Sequence, residues 1–209
     1  SNYYLAKKID CMKKKIFAVD IDGTITENGG GRIHLDALEA LRRLTNMGHD
    51  VIYVTGRSSV EAYLLSVFGG TRKIAVGENG GCIALDADDH LLLGNIEECN
   101  AAFELIENNI ENVQKKPVFP RLTEVVLERT FDMDDARKIL SKNNIDVELS
   151  DSQYAIHINS KGVDKAIAHV EDAVSKGATV ILGGTTAPSL GPNFFNPTIL
   201  ANVTPKMRV

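Results

Sequence analysis

Ile16-Phe17-Ala18-Val19-Asp20-Ile21-Asp22-Gly23-Thr24 is the most informative stretch of this chain. Its four leading apolar residues predict a buried strand of a parallel sheet. Side chains two apart on a strand share a face, so Asp20 and Asp22 emerge together where that strand ends. Open α/β sheets bind their ligands at that end. Paired carboxylates repel each other unless a cation sits beside them. A hard cation such as Mg²⁺ takes oxygen ligands, which makes Asp20 and Asp22 the candidate metal ligands. Gly23 lets the chain turn sharply, and Thr24 offers a hydroxyl and an N–H to a phosphate. The simplest chemistry is phosphoryl transfer to an aspartate.

Outward from this stretch the pattern repeats. Leu35, Leu38, Leu41, Leu44 and Met47 keep near-helical spacing up to Gly48, which stops the helix. Val51 to Val54 is a second buried strand, ending in Thr55-Gly56-Arg57. Ser58 caps a helix that runs to about Phe68. Lys73 to Val76 is a third strand, followed by Gly77-Glu78-Asn79-Gly80-Gly81. Alternating strands and helices with short connections predict a parallel sheet with helices on its faces. The character then changes. A hairpin is expected over Cys82–Leu85 and Leu91–Leu93, and a helix over Glu97–Val113. Strands follow at Glu124–Arg129, Val147–Leu149 and Tyr154–Ile158, with a helix at Asp132–Asn143. This α+β stretch reads as a cap inserted into the α/β core. The core resumes with a helix near Val163 and a strand over Ala178–Leu182. From Thr185 on, Pro188, Pro192, Pro197 and Pro205 forbid a helix while Phe194, Phe195 and Ile199 ask for burial.

The expected organisation is therefore an α/β protein with a parallel, Rossmann-like core at residues 12–81 and 161–184. A cap occupies residues 82–160, and an irregular apolar tail residues 185–209. Met12 before three lysines reads as a natural start, and Ser1 to Cys11 are set aside in reading the fold. The chain has 209 residues, 44% apolar and 24% charged, as ordinary globular proteins do. A net charge of −5 and no basic stripe argue against nucleic acid. No apolar stretch is long enough to span a membrane. Three cysteines without metal-ligand spacing suit reduced thiols in a cytoplasmic protein. Five scattered histidines give no metal-binding pattern either.

Asp20-Ile21-Asp22-Gly23-Thr24 resembles the first motif of the haloacid dehalogenase superfamily of phosphatases. Thr55, in Val54-Thr55-Gly56-Arg57, is similar to the second motif. Lys165, in Lys161-Gly162-Val163-Asp164-Lys165, resembles the third. Gly77 to Gly81, and Val125 to Ile158 with Glu128-Arg129-Thr130, look like the Cof-type and archaeal phosphoglycolate phosphatase branches. The resemblance covers roughly Lys13 to Lys165. It implies that Asp20 attacks phosphorus, that Asp22 acts as general acid and base, and that Mg²⁺ bridges Asp20 and the phosphoryl oxygens. Thr55 and Lys165 hold and neutralise the phosphoryl group, while Thr24, Gly56 and Arg57 line it. Arg129 is the candidate for a substrate carboxylate, because a guanidinium fork fits one. The implied substrate is a small phosphorylated metabolite, phosphoglycolate first. For Thr55 the plain alternative is a cap on the following helix, for Lys165 a solvated helix lysine, and for Arg129 a surface ion pair. Glu78 and Asn79 read as turn residues linking core to cap.

One part of the family pattern is missing. The fourth motif, an acidic pair after the next core strand, is replaced by Gly183-Gly184-Thr185-Thr186, and no Asp or Glu follows Asp172. From about Ala168 the chain instead resembles succinate-semialdehyde-type aldehyde dehydrogenases, without their catalytic cysteine or glutamate. Two alternatives to an active phosphatase follow: an impaired phosphate-binding module, and a dehydrogenase fragment with no chemistry of its own. An uncovered sheet edge where the core is replaced invites a homodimer.

Overall fold

A computed structural model describes residues 14–27, 31–161, 174, 176–182, 199–202 and 204. The described strands form two sheets. The larger has seven strands, in the order β5-β4-β3-β2-β1-β10-β9. These are β1 (Ile16–Val19), β2 (Asp50–Val54), β3 (Ala75–Gly77), β4 (Cys82–Ala84), β5 (His90–Leu92), β9 (Thr179–Leu182) and β10 (Ile199–Ala201). β1, β2 and β3 run parallel, as the repeated strand–helix pattern requires. Helix α1 (Leu35–Asn46) links β1 to β2 and α2 (Ser59–Gly69) links β2 to β3. Ser58 caps α2 as expected, and Glu61 reaches back to complete a capping box. Gly70 closes the helix in the left-handed conformation.

The second sheet has three strands in the order β6-β8-β7: β6 (Glu124–Leu127), β7 (Val147–Asp151) and β8 (Ile156–Ser160), all antiparallel. Helices α3 (Ile96–Glu107) and α4 (Met133–Lys142) pack on it. Cys99, Phe103, Ile106, Leu127, Leu140 and Ile158 meet in its core. Cys82 and Cys99 are free and buried, and burial pushes the Cys99 thiol up to about 11.

Four expectations need correcting. The hairpin β4–β5 does not open the insert at residue 82; it pairs with β3 and extends the large sheet, so the separate unit begins after it. α3 ends at Glu107, six residues short of Val113, because Asn108 and Asn109 lead into a turn. β1 is only half-buried and Ala18 is exposed. The tail expected to be irregular contributes β10, which pairs antiparallel with both β1 and β9. The neighbour of β1 on that side therefore runs against it, and the strand over Thr179–Leu182 lies at the sheet edge. The helix expected near Val163 lies outside the described residues.

Candidate active site

After Val19 the chain leaves the sheet and wraps tightly. The Ile21 carbonyl accepts the N–H groups of Thr24, Ile25 and Thr26, and Gly23 takes φ +77°. A residue with a Cβ would be strained at that φ. The turn buries Ile21 and Ile25 and leaves Asp20, Asp22 and Thr24 facing solvent. The Thr24 hydroxyl donates to Asp20 Oδ2 at 3.2 Å. Neighbouring atoms nonetheless crowd the Asp20 carboxyl. This burial pushes its pKa above the usual aspartate value; hydrogen bonds from Ile21 and Thr24 oppose the rise and the Asp22 charge adds to it.

The loop after β2 supplies the other wall. Arg57 grips Asp22 with both prongs, Nε to Oδ2 and Nη2 to Oδ1, each at 2.8 Å. Its Nη1 donates to Glu61 at 3.0 Å, so one guanidinium ties the β1 tip to α2. Thr55 is buried, its hydroxyl accepts the Arg57 N–H at 3.1 Å, and its carbonyl accepts the N–H of Asn79. Gly56 faces Asn79 so closely that a Cβ would lie 2.9 Å from Asn79 Oδ1. Asp20, Asp22, Thr24, Thr55, Gly56 and Arg57 thus form one continuous rim. Arg129 does not join it. Its fork is filled by Asp151 Oδ2, at 3.0 and 2.8 Å, and the pair is exposed. Arg129 is five residues beyond Glu124, about 16 Å along extended chain. Lys165 lies outside the described residues.

The sequence reading passed over a buried polar network where the second unit meets the core. Glu78 is fully buried in left-handed backbone (φ 53°), and its Oε2 accepts the N–H groups of Leu122 and Thr123 and the Thr123 hydroxyl, all at 2.8 Å. Asn79 Nδ2 donates to Glu124 Oε2 at 3.0 Å. Glu124 is buried between Arg121 Nη1, at 2.6 Å, and His157 Nδ1, at 3.1 Å. His157 Nε2 meets the Ser152 hydroxyl at 3.1 Å. Arg121 Nη1 also donates to the Gly56 carbonyl at 2.7 Å, bringing a cation from the second unit onto the rim. Burial works to raise the Glu124 pKa; His157, Arg121 and Asn79 overcome it and hold the carboxyl below its ordinary value. A glutamate opening a strand in which every residue is buried was the available signal, since such a charge requires partners.

For a hard divalent cation, the rim offers donors of the right kind in too small a number. Asp20 and Asp22 provide carboxylate oxygens, but Asp22 is held by Arg57. Among the described residues, no cluster of three His, Cys, Asp or Glu side chains is arranged to hold a metal. No described helix is long and apolar enough to cross a membrane.

Residues 17–108 match the haloacid dehalogenase-like hydrolase family, and residues 132–209 match the aldehyde dehydrogenase family. A phosphoglycolate phosphatase from Nitrosopumilus maritimus is 75% identical over 160 residues, which is 77% of this chain and 69% of that protein. One from Methanosarcina mazei is 35% identical, over 75% of this chain and 67% of its own length. In fold, the chain is similar to the crystal structure of Thermoplasma acidophilum 0175, with a TM-score of 0.63, 23% identity and coverage of 79% and 70% of the two chains. A haloacid dehalogenase-like hydrolase from Bacteroides thetaiotaomicron matches with a TM-score of 0.58 at 16% identity, over 79% of this chain and 78% of that one. The twin acids at the tip of β1, the rim built from Thr55 to Arg57 and the relatives covering both units agree: this chain belongs to the haloacid dehalogenase-like hydrolases.

Proposed function

We propose that the protein is a phosphatase of small phosphate monoesters, phosphoglycolate first among them, working through an aspartyl-phosphate. The observation that carries this reading is the pairing at the β1 tip. Asp20 is free of any cationic partner among the described residues, and Asp22 stands beside it in an exposed ion pair that can exchange. In this mechanism, an Asp20 oxygen attacks phosphorus as the ester P–O bond breaks. Asp22, released from Arg57 and carrying a proton, gives that proton to the leaving alkoxide. Asp22 then takes a proton from water, whose oxygen attacks phosphorus. The P–O bond to Asp20 breaks, and orthophosphate leaves. Thr24 and the Thr55–Arg57 loop hold the phosphoryl oxygens, and Lys165 is the proposed neutralising cation. The nucleophile must be ionised and its pKa is raised, so activity should fall on acidification at a pH above the usual aspartate range.

Mg²⁺ is the proposed cofactor. Asp20 through its carboxylate and Asp22 through its backbone carbonyl would hold it with water completing the shell, and it would offset the phosphoryl charge. Losing the fourth-motif acids predicts weak affinity. The second unit, beginning after β5, is the proposed cap over the site. A homodimer is supported by Val60, Leu64 and Phe68, an exposed apolar stripe along α2. We place the protein in the cytoplasm on its free, buried thiols. The test is phosphate release from phosphoglycolate across a Mg²⁺ series, with Asp20→Asn as control. Turnover that vanishes in the variant supports the reading; equal release by both overturns it.

A second reading has its own observation. With no Asp or Glu after Asp172, the chain can bind a phosphate ester without turning it over. Calorimetric binding without phosphate release at high Mg²⁺ would select that reading. Dehydrogenase chemistry has no support: the stretch that matches that family, residues 132–209, contains no cysteine to act as nucleophile.

A further inference from the structure

We propose that Arg121 is a positioning residue of this site: from the second unit, its Nη1 fixes the peptide between Gly56 and Arg57 and thereby aims the Thr55 hydroxyl. The proposal rests on the phosphatase reading for the task of Thr55, which is to hold a phosphoryl oxygen. Its geometry is a chain of hydrogen bonds. Arg121 Nη1 donates to the Gly56 carbonyl at 2.7 Å and to Glu124 Oε1 at 2.6 Å. The Arg57 N–H, at the other end of that same peptide, donates to Thr55 Oγ1 at 3.1 Å.

The rim leaves this peptide to be held from outside. Thr55 is fixed by the main chain, its N–H on the Val76 carbonyl and its own carbonyl on the Asn79 N–H. The Arg57 carbonyl accepts the Glu78 N–H at 2.7 Å. Between them, the Gly56 carbonyl takes its bond from Arg121 instead. Residue 56 has no room for a side chain, since a Cβ would lie 2.9 Å from Asn79 Oδ1. Glycine is therefore required there, and glycine resists rotation of the backbone least. The peptide most free to turn is the one that Arg121 grips.

Planarity carries the effect across. In a trans peptide the C=O and N–H point in opposite directions, so pinning the carbonyl toward Arg121 turns the Arg57 N–H toward Thr55. A hydroxyl has one proton and two lone pairs. With one lone pair of Thr55 taken by Arg57, its proton is turned away from the loop peptide toward another acceptor. In the proposed site that acceptor is a phosphoryl oxygen. Arg121 is itself held rigidly: its side chain is 9% exposed, and Asn79 and His157 lock Glu124 beside it. Its Nε is buried with no partner, so the bonds of Nη1 are kept at the expense of Nε. With Glu124 on the same nitrogen, the pair brings little net charge to the rim. Aim is what it supplies.

The test is a double-mutant cycle on the full chain, read by calorimetry of inorganic phosphate in excess Mg²⁺. Thr55→Val should weaken phosphate about tenfold, the worth of one hydrogen bond to a charged group. Arg121→Met should weaken it about fivefold, and the double variant no more than Thr55→Val alone. Losses that multiply, or wild-type affinity in either single variant, overturn the proposal. An arginine that merely stabilised the fold would act equally in both backgrounds. If Arg121→Met fails to fold, Arg121→Lys replaces it in the cycle, keeping a cation for Glu124 on a side chain one atom shorter. If the wild type binds no phosphate, the phosphatase reading falls, and amide exchange in the arginine variant decides the positioning alone. Faster exchange at the Arg57 N–H, with β2 unchanged, sustains the proposal; an unchanged Arg57 rate overturns it.

Discussion

Two sets of acids, joined through Arg57, Gly56 and Arg121, live in opposite conditions. At the tip of β1, Asp20 and Asp22 face solvent; one is held by a threonine hydroxyl and the other by an arginine that is itself half-open. At the junction between the sheets, Glu78 and Glu124 are buried, and every oxygen among them has a donor. An exposed ion pair is worth about 0–1 kcal/mol and can be traded for a ligand. A buried, fully satisfied carboxylate cannot be disturbed without leaving its donors stranded. A carboxylate is therefore left open to a ligand in one place and holds two units in register in the other.

That contrast can be broken most forcefully at Glu78. Glu78→Ala strands four donors, the N–H groups of Leu122 and Thr123 and the hydroxyls of Thr123 and Ser59, in a buried junction and should cost about 3–5 kcal/mol, read from urea unfolding. Gly81→Ala should come next. Its Cβ would lie 2.2 Å from Thr123 Oγ1, so the junction must open, at about 1–3 kcal/mol by the same assay. The pH dependence of Glu124 sharpens the comparison. Its folded pKa lies below the usual 4.5, so its stabilisation is complete above that value and drains away as pH falls through the folded one. Melts between pH 6 and pH 3 should show the wild type losing more than Glu124→Gln. Asp20→Asn should do the reverse of the junction variants. Its pKa is raised, so its ionised form is disfavoured by folding, and removing the charge at pH 7 should raise Tm by up to about 2 °C without metal. Arg129→Ala should change least, below about 1 kcal/mol, with phosphate release intact.

How much of this was legible in the sequence follows from which forces act locally. The strand that delivers Asp20 and Asp22, the Ser58 cap and the parallel β1–β2–β3 order were readable, since period, capping and turn chemistry are local properties. That the Arg129 fork is already filled was not, because only tertiary contact brings Asp151 to it. The apolar series Ile106, Ile110, Val113 kept helical spacing past Glu107, while three asparagines at 108, 109 and 112 were the stronger signal, and Asn112 takes φ +63°. Extending the large sheet through β4 and β5, and reversing it at β10, depends on pairings between strands that alternation cannot specify.

The reversal at β10 bears on any attempt to restore metal affinity. Ile199 lies opposite Phe17 and Leu200 opposite Ile16, so β10 begins at the pole of the sheet nearer Asp20 and finishes at the far one. Grafting a carboxylate downstream of Ala201, where a parallel neighbour would carry it, delivers the charge to the wrong pole. A carboxylate meant for the Asp20 pole belongs at the Ile199 end of β10.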